Sequence, residues 1–432
     1  MLLDIAEEHG TPTHVLDLDC LASNYDRLQE GLSRCICPFK ILYSFKTNYL
    51  PIILEKMKNM GAGADVVSGY EMEAALVHGF GPHGIVFNGP MKTEAELARA
   101  MENNALVNID GPDEMECLQT FSAALGVITC VGLRVNPGLN VYASNDPSYN
   151  QIATEKARKS KFGWLIEKGE AEKMAARVGR RPNLKLSAIH CHLGSQITST
   201  PEFSAAVGKV IQFVAELRKR FPIQTLNIGG GFGVTGIHRE KRGPLQRFLE
   251  YQGLQIIEER RERFDLTAFV DMLNHNLSNW NLTDLTLACE PGRVLVSGAM
   301  ALITRVVSLK NVAPTPWMIL DGGLHLLPTV SLGEDHEMFC LNKSSRSMRE
   351  YHVGGPMCFE GDVLSWAKKF PVDMQTGDFV VIKDTGAYTV SRSTNFIRPR
   401  AAVVALKNGL SQLCWRRETY EDIFSFQVMT SL

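Results

Sequence analysis

The sequence predicts an α/β protein, a (β/α)8 TIM barrel followed by an antiparallel β domain that also takes in the N-terminal strand. Three observations carry that expectation. Short β-branched runs ending in Gly, Asn, Asp or Ser alternate with helical patterns, the signature of βα units and a parallel sheet. After Arg293 the texture changes to β-rich runs with little helix between most of them. The 432 residues exceed one ordinary domain and suit two, one of them a barrel of about 250 residues.

In chain order, Thr13 to Leu18 reads as a strand that precedes the barrel and needs a sheet to join. Eight further runs supply the barrel: Lys40 to Phe45, Ala64 to Val67, Ile85 to Asn88, Leu106 to Ile109, Ile128 to Val135, Leu184 to His190, Thr225 to Ile228 and Leu285 to Cys289. Helical patterns lie between them, among them Tyr70 to Val77, Thr93 to Met101 with Glu96 three residues after the Thr cap, and Phe203 to Arg220. The stretch from Gly236 to Asp284 is longer than one crossover requires, so an extra helix is expected there. Val294 to Leu309, Trp317 to Asp321, Phe379 to Lys383 and Arg400 to Lys407 read as strands of the β domain, and Ser344 to Arg349 as an exposed loop. The expected division is a barrel over residues 22–290, with 1–21 and 291–432 forming the β domain.

Apolar residues make up 45% and charged residues 21%, ordinary for a globular chain. A net charge of -2 gives no electrostatic case for nucleic acid or an acidic membrane. Ten scattered cysteines form neither a zinc pattern nor a dense disulfide framework. With no basic leader at the N-terminus and no apolar run of spanning length, a cytoplasmic protein without a membrane segment is expected.

In a barrel of this kind the working residues come from the C-terminal ends of the strands, and most of the unusual residues obey that demand. Lys46 follows the first strand, Arg134 closes the fifth, and His190, His192 and Ser195 lie at or after the end of the sixth. Gly229, Gly230 and Gly231 follow the seventh and Glu290 to Arg293 the eighth, while Asp65 lies inside the short second strand and fits less well. Taken alone, Lys46 reads first as an ordinary edge lysine reaching for water, although an amine at a strand's end can also form a Schiff base once it loses a proton. Three glycines let the backbone approach a ligand and form an anion nest, or simply make a tight turn. Phosphate sites in such barrels use the loops after strands seven and eight, here the triple glycine and Arg293. His190 and His192 alternate as metal ligands can, but no third ligand is evident, and no metal is expected. In the β domain, Gly355 to Asp362 carries Cys358, Glu360 and Asp362, and Gly386 to Tyr388 carries a phenol.

Together, Tyr43 to Asn48, Gly63 to Ser68, His190 to Gln196, Gly229 to Gly233, Glu290 to Arg293, Gly355 to Asp362 and Gly386 to Tyr388 resemble the fold-type III pyridoxal-phosphate decarboxylases. That family includes diaminopimelate and ornithine decarboxylases, and the resemblance runs in order through nearly the whole chain. It implies pyridoxal 5'-phosphate as cofactor and a homodimer with active sites at the interface. Lys46 would carry the cofactor as an aldimine, with Asp65 beside it. Ser195, Gly229, Gly230, Gly231, Gly292, Arg293 and Tyr388 would hold the phosphate, His192 would stack on the ring, and Glu290 would pair with the pyridine nitrogen. Carbon dioxide would leave to give a quinonoid, and Cys358 from the second subunit would reprotonate the α-carbon. Arg293, Glu360, Asp362 and Tyr388 would contact the substrate.

The sequence departs from the family's diaminopimelate members where substrates are told apart. Those members follow Asp-Gly-Gly with an arginine and a tyrosine and place an acid directly after the cysteine. Here Asp321-Gly322-Gly323 leads into Leu324-His325-Leu326-Leu327-Pro328, and Phe359 follows Cys358. Without a bidentate arginine or that acid, a zwitterionic distal end has no evident reader. The pattern is more similar to natural-product relatives that decarboxylate a modified or carrier-attached amino acid. Diaminopimelate, ornithine, lysine or arginine is the alternative, with Glu360 and Asp362 receiving a distal amine. A racemase of related scaffold would carry a tyrosine as opposing acid and an arginine at the pyridine nitrogen, against Cys358 and Glu290. A non-catalytic regulatory paralogue would have lost the lysine or the phosphate ligands.

Overall fold

The structure, a computed structural model, describes residues 1–142, 147–239, 264–311, 315–396 and 398–427. The chain divides into two compact units, one of Asn24–Val234 and Glu262–Val294, the other of Met1–Ser23, Thr235–Arg261 and Leu295–Leu432.

The first unit is a closed parallel barrel. Its strands are β1 (Phe39–Ser44), β2 (Gly63–Val66), β3 (Ile85–Phe87), β4 (Leu106–Ile109), β5 (Thr129–Asn136), β6 (Leu184–His190), β7 (Thr225–Asn227) and β8 (Thr286–Cys289). Each pairs with the next, β8 returns to β1, and every pairing is parallel. Strand boundaries match the sequence reading to within one residue. The helices begin where their caps dictate: Ser68 accepts the Glu71 amide ahead of Gly69–Val77, and Thr93 with Glu96 forms a full capping box ahead of Glu94–Glu102. The long helix Thr200–Arg218 buries Phe203, Val207, Val210, Ile211 and Val214. Phe203 closes a ring cluster with Phe232, Phe264 and Phe269, whose centroids lie 5.1–6.2 Å apart. Each such ring contributes roughly 1.5–3 kcal/mol by burial, which fixes the segment Gly231–Gly233 beside Phe232. The helix Leu266–Asn279 falls within the stretch expected to hold an extra helix; residues 240–263, where any further one would lie, are outside the described residues.

The second unit is built on the eleven-residue strand Met300–Lys310. One edge takes Thr13–Asp17 and, past a bulge at Val306–Ser308, Trp317–Leu320; the opposite edge takes Phe379–Ile382. The N-terminal strand therefore joins the C-terminal domain, as its isolation in sequence required. The sheet is mixed where an antiparallel one was expected, because Thr13–Asp17 runs parallel to Ala402–Lys407 and Trp317–Leu320 parallel to Met348–Gly354. The strand expected from Val294 begins only at Met300, since Arg293–Val296 is a helical turn followed by a 3-10 turn over Ser297–Ala299; the local context overrides the β propensity of Val294 and Val296. Met348 and Arg349, read as loop, open the strand Met348–Gly354. Ile237–Arg239 pairs with Glu334–His336, which draws Thr235 onward out of the expected continuous barrel segment and into this unit. No described helix is long and apolar enough to cross a membrane.

Candidate active site

At the C-terminal rim of the barrel, Lys46 sits on a 3-10 turn, Phe45–Thr47, that ends β1. The β1–β2 register sets Ser44 opposite Asp65, which explains why an acid inside a strand belongs to the site. Lys46 Nζ is 2.7 Å from Asp65 Oδ2 and 2.7 Å from Ser44 Oγ, and the Ser44 hydroxyl donates to the same Asp65 oxygen at 2.7 Å. Asp65 is fully buried, so its charge is balanced by these donors and not by water.

Glu290 directly follows β8 and is buried. Its Oε1 accepts from Asn88 Nδ2 at 2.7 Å and Asn227 Nδ2 at 2.8 Å, and its Oε2 faces His190 Nε2 at 3.2 Å. Burial by itself would raise this carboxyl; His190, Lys46 and the hydrogen bonds it receives outweigh that and hold it well below the usual carboxylate range. His192 Nδ1 accepts the Gly230 N–H at 3.2 Å and lies 3.8 Å from Glu290 Oε2, beyond hydrogen-bond distance. Burial lowers the His192 pKa, leaving a neutral, flat ring tied to the glycine loop.

Gly229 and Gly231 have φ of 67° and 100°, the left-handed region that favours glycine. A Cβ on Gly230 would run into the Glu290 carbonyl, and one on Gly292 into Thr47. The loops after β1, β7 and β8 thus converge at van der Waals contact, with Arg293 buried at the start of the following helical turn. Ser195 lies on the loop after β6, where its backbone N–H meets the Tyr142 hydroxyl at 3.2 Å. Arg134 pairs with Asp110 at 3.1 Å and lies over the Phe162 ring.

Residues 21–297 match the family model described as pyridoxal-dependent decarboxylase, pyridoxal binding domain. The chain belongs to the pyridoxal-dependent decarboxylases. It is 30% identical to the diaminopimelate decarboxylase of Aquifex aeolicus, over 98% of this chain and 93% of that protein. It is 31% identical to the enzyme of the same name from Pseudomonas aeruginosa, over 98% and 94%. Among solved structures, diaminopimelate decarboxylase from M. jannaschii in complex with L-lysine superposes with a TM-score of 0.86 at 26% identity, covering 99% of this chain and 94% of that one. The decarboxylase is accordingly a carboxy-lyase acting on an amino acid with pyridoxal 5'-phosphate. Its barrel fits the cofactor in chemistry: an amine for an aldehyde, an ionised buried carboxylate for a pyridinium N–H, a flat neutral imidazole for a ring face, and a rim of glycines without side chains beside buried Arg293 for a phosphate.

In the decarboxylase's other unit, Cys358 and Glu360 are exposed on the loop after Met348–Gly354. Asp362 differs from the expectation that it contacts substrate. Its Oδ1 accepts the Leu324 N–H and its Oδ2 the Met357 N–H, both at 2.8 Å, so it is buried as the clamp of the cysteine loop. Tyr388 is half-buried with φ of 60°, a conformation unusual for a non-glycine residue and one that clusters at functional positions. Sequence reasoning missed Ser44, Asn88, Asn108 and Asn227 as site residues. It also missed Glu71, whose carboxyl burial pushes up to about 7. The available signal was an asparagine at or near the end of an otherwise apolar strand.

Proposed function

We propose that the enzyme decarboxylates an amino acid whose distal end is uncharged or conjugated, including carrier-attached forms of natural-product pathways, with Lys46 and Cys358 as its catalytic residues. The carrying observation is the Lys46–Asp65 pair standing in one hydrogen-bonded network with ionised Glu290. When bound, pyridoxal 5'-phosphate supplies an aldehyde that takes amines covalently and a ring that accepts electrons from the α-carbon. Lys46 would hold the cofactor, and Asp65, whose Oδ2 lies 2.7 Å from its Nζ, would steady the amine when it is protonated. Glu290 would keep a ring nitrogen protonated, and His192 would supply a flat neutral surface to the ring. Gly229, Gly230, Gly231, Ser195, Gly292 and Arg293 would hold the phosphate, to which the family resemblance adds Tyr388. Once carbon dioxide is lost, the Cys358 thiol would give its proton to the α-carbon.

Support for the substrate class comes from the segment after Asp321-Gly322-Gly323. Leu324, His325, Leu326 and Leu327 are all buried, and burial holds His325 neutral by lowering its pKa to about 4. This segment therefore offers no cation to a distal carboxylate. The names of the relatives favour free diaminopimelate as the second reading, with Glu360 and Arg293 as substrate contacts in either case. A CO2-release screen decides between them: conjugated amino acids are expected to turn over at least tenfold faster than diaminopimelate, lysine or ornithine, and the reverse order overturns the assignment.

We further propose a homodimer in which Cys358 of one copy serves Lys46 of the other, in a reducing cytoplasm that suits ten free thiols. Mixing inactive Lys46→Ala and Cys358→Ala proteins should then restore about a quarter of the activity through mixed dimers. No restoration, with exchange of copies verified, removes the shared site.

A further inference from the structure

Three asparagines are buried in the barrel where an aliphatic side chain would satisfy packing. Asn88 follows β3, Asn108 lies in β4 and Asn227 ends β7, exposed by 4%, 1% and 1%. Their amide orientations follow from one another. Asn88 Nδ2 is 2.7 Å from Asp65 Oδ1 and 2.7 Å from Glu290 Oε1, and only an N–H group can lie between two carboxylates. Its Oδ1 must therefore face Asn108, which presents Nδ2 at 2.8 Å. Asn227 donates to the same Glu290 oxygen at 2.8 Å and accepts the Gly229 N–H at 2.9 Å. The result is one continuous path of hydrogen bonds, Lys46–Asp65–Asn88–Glu290–Asn227–Gly229, from the amine to the glycine loop.

We propose that Asn88, oriented by Asn108, is a positioning residue that sets how tightly Asp65 holds the proton of Lys46. Asp65 needs to be a strong enough acceptor to hold an ammonium and a weak enough one to release it. A donor on Oδ1 stabilises the carboxylate's charge and so weakens its pull on the proton carried at Oδ2. Asp65 and Asn88 are both buried, so solvent screens this influence little. Sharing the same amide with Glu290 places the two carboxylates a single –NH2 group apart without a like-charge contact, one facing the amine and the other the position proposed for the ring nitrogen. Asn108 contributes by fixing the amide's sense, because a flipped Asn88 would turn its oxygen toward both acids.

The inference rests on Lys46 being the amine that carries the cofactor, and two readouts separate the two claims. In the full-length chain stripped of cofactor, Lys46 is acylated with acetic anhydride across a pH series and quantified by peptide mass spectrometry. The Asn88→Leu profile is expected to move alkaline by about half a pH unit or more, and Asn108→Leu in the same direction by less. If Asn88→Leu does not fold, Asn108→Leu decides alone. Profiles that coincide with the wild type, or move acidic, overturn the positioning role. Borohydride reduction of the cofactor-loaded chain and peptide mapping then locate the pyridoxyl group. A label on a residue other than Lys46 overturns the underlying reading, whereas a label on Lys46 with unmoved acylation overturns the role of Asn88 alone.

Discussion

Lys46 and Asp65 form an ion pair at 2.7 Å in which the carboxylate is fully buried and the lysine side chain is 31% exposed. The partners are therefore unequal: removing the amine strands a charge, whereas removing the acid leaves an amine that water can still reach.

Lys46→Ala is expected to abolish CO2 release and covalent cofactor retention. It should also destabilise the barrel by about 2 kcal/mol, less than the roughly 3–5 kcal/mol of a fully buried pair because Lys46 is partly solvated. Adding Asp65→Asn should recover most of that stability and none of the activity. Urea unfolding and a CO2 assay on both proteins check this, and a double variant no more stable than the single one contradicts it.

Gly230→Ala tests the convergence of loops at the rim. The new methyl meets the Glu290 carbonyl, so the glycine loop must withdraw from β8 and pull on the N–H that His192 accepts. Affinity for pyridoxal 5'-phosphate should fall at least tenfold, roughly 1.4 kcal/mol, measured by fluorescence titration of the stripped chain.

Asp362→Ala removes the acceptor of the Leu324 and Met357 amides. Hydrogen exchange at those two amides should accelerate while the strand Phe379–Ile382 stays protected. Turnover is expected to fall through disorder of Cys358, with cofactor retention unchanged.

Acid should weaken the second unit. His14 is buried with neither ring nitrogen hydrogen-bonded among the described residues, and burial, reinforced by His325, lowers its pKa to about 4. Burial, reinforced by Arg398, does the same to His325, also to about 4. The unfolded chain binds these protons from pH about 6.5 downward while the folded chain refuses them until about 4, so stability is lost as pH falls through that window. The slope is about 1.4 kcal/mol per pH unit for each histidine at full effect. His14→Phe should flatten the fall in melting temperature between pH 6.5 and 4 without lowering it at pH 8.

The barrel was legible because each strand announced itself by an apolar run and a turn residue, and the helix starts by caps such as Thr93 with Glu96. The rim residues were legible for the same reason: position at a strand's end is a sequence property. Asp65 looked misplaced because its partnership depends on register, Ser44 against Asp65, which the sequence does not state. Asn88, Asn108 and Asn227 passed as strand-end punctuation, since one strand cannot reveal that three of them turn inward toward two acids. In sequence Asp362 reads as a substrate contact, because the amides that occupy it belong to Leu324, far away in sequence, and to Met357, whose approach requires the loop's turn. Met348–Gly354, Val363–Pro371 and Leu410–Trp415 escaped as strands because their polar and charged residues, such as Arg349, Glu350, Lys368 and Lys369, break the apolar pattern.

The strand Thr13–Asp17 lies between Met300–Lys310 and Ala402–Lys407, with Thr13 opposite both Ile303 and Ala402. During synthesis this strand emerges well before both partners, and its second edge is satisfied only when Ala402–Lys407 follows Met300–Lys310. Its backbone stays available to other partners for most of translation, which at about 5–20 residues per second lasts tens of seconds. Such non-local pairing also closes slowly once the chain is complete. A chaperone that shields a short β segment near the N-terminus should therefore raise the yield of folded enzyme more than one acting on the barrel, whose neighbouring strands emerge one after another.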